Sequence, residues 1–195
     1  NNITRRLIQQ GTDPVRVVTD FCRSNDLEIF WTLRVNDCHD AIHRVDKPYP
    51  AFSKLKEAHA EWLMGTYSKR PRHGNWSAYD FAVPEVRKLA VDCVTEVCQN
   101  YSVDGIHLDF FRHLNYFREV AAGGKATPEH LAMMTDVIRR IRRTTEEQGL
   151  ARKRPILLAV RVPDSVAYCR ALGLDVEQWL KEGLVDMLVA GEFQL

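Results

Sequence analysis

Asp109 ends a short segment, Gly105 to Phe110, in which Ile106, Leu108 and Phe110 alternate with His107 and Asp109. Side chains alternate across a strand, so the apolar trio shares one face and His107 and Asp109 share the other. A carboxylate on a strand otherwise built for burial is costly unless it is paired or put to use. Three more segments end in polar groups: Arg34, Asn36, Asp37, His39 and Asp40 after the first, Arg161 and Asp164 after the third, and Glu192 after the last. Arg112 and His113 follow Asp109 itself. Two carboxylates on nearby strand ends suit glycoside hydrolysis, in which one acts as nucleophile or base and the other protonates the leaving oxygen. Asp109 and Glu192 fit those roles by position. Glu192 should lie two strands from Asp109, which favours the close spacing of a retaining enzyme.

Arg34, Asp37, His107, Arg112 and Arg161 are the candidate substrate-binding groups around the pair. Arginines there can keep a carboxylate ionised, bind the carboxylate of an acidic sugar, or simply form structural ion pairs. Trp76 and Tyr79 are the candidate stacking platforms, with Trp31, Trp62 and Tyr67 offering further flat faces. His39, His43 and His113 read more simply as solvated loop histidines. A metal-dependent alternative would draw on Asp37, His39, His107 and Asp109. No HxH or HExxH spacing supports it, so neither a metal nor a cofactor is expected.

These groups need elements to hold them. Asp13-Pro14 reads as a helix cap and first-turn proline, and Val83-Pro84-Glu85 and Thr127-Pro128-Glu129 open two more helices. The last of these should stop at Gly149. Apolar strands fall near 28–35, 104–110, 155–161 and 185–190, with a short helix from Val176 to Glu182 before the fourth. Helices and strands alternate, which predicts parallel βα units. No GxGxxG follows a strand, so a dinucleotide-binding sheet is disfavoured. A long irregular segment, about 38–82, follows the first strand, and long inserts after strand C-termini are the habit of a (β/α)8 barrel. Only four strands are visible, whereas a full barrel takes about 250 residues. The expectation is one α/β domain over 1–195, a partial TIM barrel of four β/α units with open or otherwise covered edges.

Composition narrows the function class. The 195 residues are 45% apolar and 27% charged with a net charge of +1, which gives no argument for nucleic acid or an anionic membrane. The basic run Arg139 to Arg143 reads as a solvated helix face. Five cysteines without a CxxC pair predict free thiols, mostly buried. No stretch approaches the about 20 apolar residues of a membrane span. No signal peptide is visible; a secreted or periplasmic location would require one to have been removed, and the location and oligomeric state stay open.

Tyr79-Asp-Phe-Ala-Val-Pro-Glu-Val-Arg87, then Asn100 to Arg112 with its Tyr-Ser-Val-Asp-Gly-Ile-His-Leu-Asp core, resembles the pattern of glycosyl hydrolase-like family 10 proteins. Gly173 to Asp186 is similar to their GLD-x-x-x-W-x-x-x-GLVD segment. The resemblance covers about residues 12–193. It implies a (β/α)8 barrel active on a poly- or oligosaccharide, and it carries Asp109 over as the strand-end carboxylate. It does not carry Glu192. Val83 stands where relatives often have Asn, a difference confined to the helix cap. A non-catalytic carbohydrate-binding barrel is the alternative; it would keep the aromatics and arginines and lack a correctly spaced acid.

Overall fold

The four apolar segments form one parallel sheet in the order of the chain. The structure is a computed structural model that describes residues 3–191. The strands are β1 (Phe30–Arg34), β2 (Gly105–Asp109), β3 (Leu157–Pro163) and β4 (Met187–Gly191), hydrogen-bonded as β1-β2-β3-β4. The helices are α1 (Ile3–Gln9), α2 (Pro14–Ser24), α3 (Lys54–Ala58), α4 (Pro84–Asn100), α5 (Arg118–Ala121), α6 (Pro128–Ala151), α7 (Val166–Leu172) and α8 (Val176–Lys181).

Alternation divides the sheet into two faces. Ile106, Leu108 and Phe110, with Leu158, Val160 and Val162, are buried against Val94 and Val97 of α4, Met134, Ile138 and Ile141 of α6, and Trp179 of α8. Each such side chain contributes about 1.5–3 kcal/mol relative to exposure, so this face fixes the register. The opposite face carries Thr32, Arg34, His107, Asp109, Ala159 and Arg161. Gly105 is needed on that face, because a Cβ there would lie 2.2 Å from the Phe30 ring. At the edge, Met187, Leu188 and Val189 are 42–48% exposed, and α2 likewise exposes Val17, Val18 and Phe21.

Side-chain caps start four of the helices, α2, α3, α6 and α7. Asp13 accepts from the Arg16 N–H at 2.9 Å. Thr127 and His130 exchange side-chain and backbone hydrogen bonds in a capping box. Val83 makes no side-chain cap, and the Arg87 guanidinium donates back to the Ala82 carbonyl at 2.9 Å. Gly149 does not stop α6. The helix runs on to Ala151, and Gly149 is where the backbone of Arg154 to Ile156 packs against it, about where a Cβ would sit.

The start of each inner strand is tied by an aspartate. Asp104 accepts from the Ile29 N–H at 2.9 Å, and from Arg23 and Arg154. Asp186 accepts from the Leu158 N–H at 2.7 Å and from Arg142 at 2.6 Å. Both are therefore structural carboxylates at the end of the sheet away from Asp109.

Segment 38–82 is more ordered than its sequence indicates. It holds 3₁₀ turns at His39–Ile42 and Ala60–Trp62, helix α3, and an antiparallel bridge between Leu63 and Tyr79. Phe52, Leu63 and Trp76 form its small core. Inside it Lys56, 5% exposed, meets Asp40 at 2.7 Å, and Asp40 also accepts from Ser77 at 2.6 Å. Asn36, buried in the left-handed region at φ 83°, fastens this insert to the sheet. Its amide donates to the Tyr79 and Asn115 carbonyls, and its oxygen accepts from the Tyr79 N–H at 2.6 Å. Asn36→Ala removes these bonds and places a Cβ residue without a local hydrogen-bonding side chain at positive φ, so an urea-unfolding experiment is expected to show a loss of about 2–4 kcal/mol. A change below half a kcal/mol would mean the insert is held by other contacts.

Candidate active site at the strand C-termini

The parallel register sets Arg34, Asp109 and Arg161 side by side on three adjacent strands. Asp109 is 7% exposed and sits between the two arginines. Its Oδ1 accepts from the backbone N–H groups of Phe111 at 2.9 Å and Arg112 at 3.2 Å, where the chain turns out of β2. Its Oδ2 faces the Arg161 guanidinium at 3.9 Å. Arg161 is stacked over the Phe111 ring at 4.8 Å. Gly191 of β4 makes room for this stack, since a Cβ there would come within 2.8 Å of Phe111 and 3.1 Å of the Arg161 Nε. One step down the same face, His107 Nδ1 lies 3.2 Å from the Thr32 hydroxyl. Burial pushes the His107 imidazole below its usual range, while Asp109 pulls it up and Arg161 pushes it further down.

A second constellation adjoins the first. Asp37 meets His39 Nδ1 at 2.8 Å and Arg34 at 3.4 Å. Burial alone would raise the Asp37 carboxyl, but the His39 N–H and ring, with Arg34, hold it at about 2. Arg112 reaches His39 Nε2 at 3.0 Å. A guanidinium can only donate, so Nε2 accepts and Nδ1 carries its proton toward Asp37. His113 stands edge-on to His39 with ring centroids 4.8 Å apart. Its Nδ1 is buried and has no hydrogen-bond partner among the described residues, and burial lowers its basicity.

Of the sequence-derived candidates, Arg34, Asp37, His107, Asp109, Arg112 and Arg161 come together at this mouth. Trp76 lies elsewhere: it is 6% exposed within the insert, and its indole N–H donates to the Ala41 carbonyl at 2.8 Å. It packs the insert and is not an open platform at the rim. Tyr79 is half-buried under the Lys56 ammonium, 5.1 Å from the ring centroid. Glu192 lies outside the described residues. His43 stacks on Phe52 at 3.9 Å and is a packing residue. His39 and His113, which the sequence reads as solvated loop residues, belong to the mouth. The signal that could have marked them is the Asp-x-His spacing of Asp37 and His39 across a turn.

Among the described residues Asp37, His39 and His113 offer ligand atoms within 4.8 Å of one another, the one grouping with metal-ligand chemistry. It is not the set Asp37, His39, His107 and Asp109 considered above. Arg34 touches Asp37 and Arg112 touches His39, so a cation would enter beside two guanidiniums, and the fit is electrostatically poor. The five cysteines are free, and burial raises the Cys98 and Cys169 thiols to about 11, leaving them protonated and unreactive at neutral pH.

No family model matches the chain. It is 24% identical over 122 residues to the glycosyl hydrolase YngK of Bacillus subtilis (strain 168), a match covering 61% of this chain and 21% of that protein. The chain thus spans about a fifth of the length of that curated relative. Among solved structures, the glycoside hydrolase family 18 N-acetylglucosaminidase from Paenibacillus barengoltzii superposes with a TM-score of 0.50 at 17% identity, over 91% of this chain and 40% of that one. The family 36 α-galactosidase AgaA from Geobacillus stearothermophilus gives a TM-score of 0.49 at 14% identity, over 75% of this chain and 18% of that one. The family 18 enzyme shares the fold of this chain.

Proposed function

We propose that the chain forms part of a (β/α)8-barrel glycoside hydrolase of the glycosyl hydrolase-like family 10 kind, which cleaves a poly- or oligosaccharide through strand-end carboxylates. The observation that carries this reading is Asp109 at the C-terminal end of β2, with one oxygen held by two backbone N–H groups and the other turned toward Arg161. In parallel barrels the chemistry sits at this end of the strands. The relative named a glycosyl hydrolase and the shared fold of the family 18 enzyme support it.

In this reading Asp109 is the acceptor carboxylate, acting as nucleophile or base. Glu192, the residue after β4, is the proposed acid, and the separation of the two carboxyl groups would decide the outcome: about 5–5.5 Å for retention and about 6.5–9.5 Å for inversion. Arg34, Arg112 and Arg161 orient the sugar hydroxyl or carboxylate groups, His107 serves as a neutral hydrogen-bonding group beside Asp109, and Asp37 holds His39 and Arg34 in place. Tyr79 borders the cleft. No helix of the described residues is long and apolar enough to cross a membrane.

The test is a screen of the full-length protein against natural polysaccharides and chromogenic glycosides, read by release of reducing ends or chromophore. Hydrolysis of one substrate class is the expected result. Saturable binding without cleavage across the panel would instead assign the chain to a carbohydrate-binding barrel.

A further inference from the structure

Beside the mouth the insert forms one wall of an open cavity of about 750 Å³. Arg44, Lys47 and Arg70 line it, with Tyr49 and Tyr67, and among the described residues no acidic one does. The Arg70 guanidinium lies 4.6 Å from the Tyr67 ring centroid and donates to the Tyr67 carbonyl at 3.2 Å. Arg44 sits 5.5 Å from the same ring and is neutralised by Asp46, which its Nε reaches at 2.9 Å. Among the described residues neither Lys47 nor Arg70 has a carboxylate within 4.0 Å. The whole chain carries only +1, so this basic concentration is local. His39 and His113 line the cavity and also belong to the mouth, where Arg112 donates to His39. The cavity therefore shares His39 and His113 with the mouth at which Asp109 lies.

We propose that this cavity is a subsite for an anionic sugar residue, carrying a carboxylate or a sulfate ester, of an acidic oligo- or polysaccharide. The inference rests on the saccharide reading of the neighbouring cleft and names its substrate class. Two uncompensated cations attract an anion, and a guanidinium held over the Tyr67 ring and tied by its Nε to the Tyr67 carbonyl presents its remaining N–H groups in a fork that matches carboxylate or sulfate oxygens. Tyr49 and Tyr67 supply the flat apolar faces a pyranose ring packs on. The size is that of an ordinary ligand pocket, about 300–1,000 Å³. A neutral sugar would leave Lys47 and Arg70 without a counter-charge.

Titration calorimetry on the full chain, in an Asp109→Asn background that suppresses turnover, tests this with four probes: tetragalacturonate, a sulfated carrageenan tetrasaccharide, and the neutral agarotetraose and cellotetraose. At least one anionic probe is expected to bind about tenfold or more tighter than the neutral ones, and Lys47→Gln with Arg70→Gln to remove that advantage. The preferred anionic probe tells carboxylate from sulfate. Both side chains are exposed, so the double variant should melt with the parent. Lys47→Arg should keep the preference. Equal affinity for all probes, or an anion preference untouched by the double variant, overturns the subsite. Tight anion binding through Lys47 and Arg70 in a protein that cleaves no glycan would sustain the subsite and sink the hydrolase reading. Hydrolysis of neutral glycans without anion preference would do the reverse.

Discussion

On any glycan that the full-length protein cleaves, Asp109→Asn is expected to lower kcat by at least about 10³-fold while leaving the melting temperature nearly unchanged. The amide oxygen of Asn can still accept from the Phe111 and Arg112 N–H groups, so the turn out of β2 survives the change. What is lost is the negative charge facing Arg161, and with it the capacity to attack an anomeric carbon or take a proton from water. KM should move little, since the surrounding arginines and histidines remain. Steady-state kinetics with a thermal melt on the same preparation separates the outcomes. Unchanged kcat in a folded protein removes Asp109 from the chemistry. A fall in kcat matched by a lost melting transition would make it a structural carboxylate instead.

Trp179→Ala is expected to cost about 3–5 kcal/mol, the range for deleting a large aromatic from a core. Trp179 is fully buried, its indole N–H donates to the Thr135 hydroxyl at 3.0 Å, and its ring lies 5.5 Å from Phe110. It thus joins α8 to α6 and to the residue that follows Asp109. For a domain of this size the loss corresponds to about 6–20 °C in melting temperature. Calorimetry or urea unfolding reads it directly, and a shift below about 1 kcal/mol would contradict the packing role. Trp179→Phe keeps much of the volume and leaves Thr135 without its donor, so it should fall between the two.

Much of the scaffold was legible in the residues. The four strands stand out as apolar runs, and their helix-strand alternation forces parallel pairing, so the alignment of Arg34, Asp109 and Arg161 follows from position alone. Prolines at the first turn mark α2, α4 and α6, with a capping side chain at α2 and α6. Helix α7 was missed although Ser165 caps it and Gly173 ends it at φ 95°, because seven residues carry too little periodicity to read. Gly149 misled for the opposite reason: a glycine can mark close approach as well as a helix end. The order within 38–82 depends on the Asn36 clamp and the Lys56–Asp40 pair, contacts between residues far apart in the chain. The same applies to His39 and His113, which only the folded loops bring together. Trp76 is ambiguous in sequence, since a flat apolar ring serves packing and sugar stacking equally well.

Asp104 and Asp186 fasten the strands at one end, and Asp109 and Arg161 meet at the other. Because one set of carboxylates secures the scaffold and a different set lines the mouth, substitutions at the mouth can accumulate without taxing foldability. Such a chain is robust where its strands begin and evolvable where they end, so closely related chains with the same sheet and a different mouth are an accessible neighbourhood in sequence space.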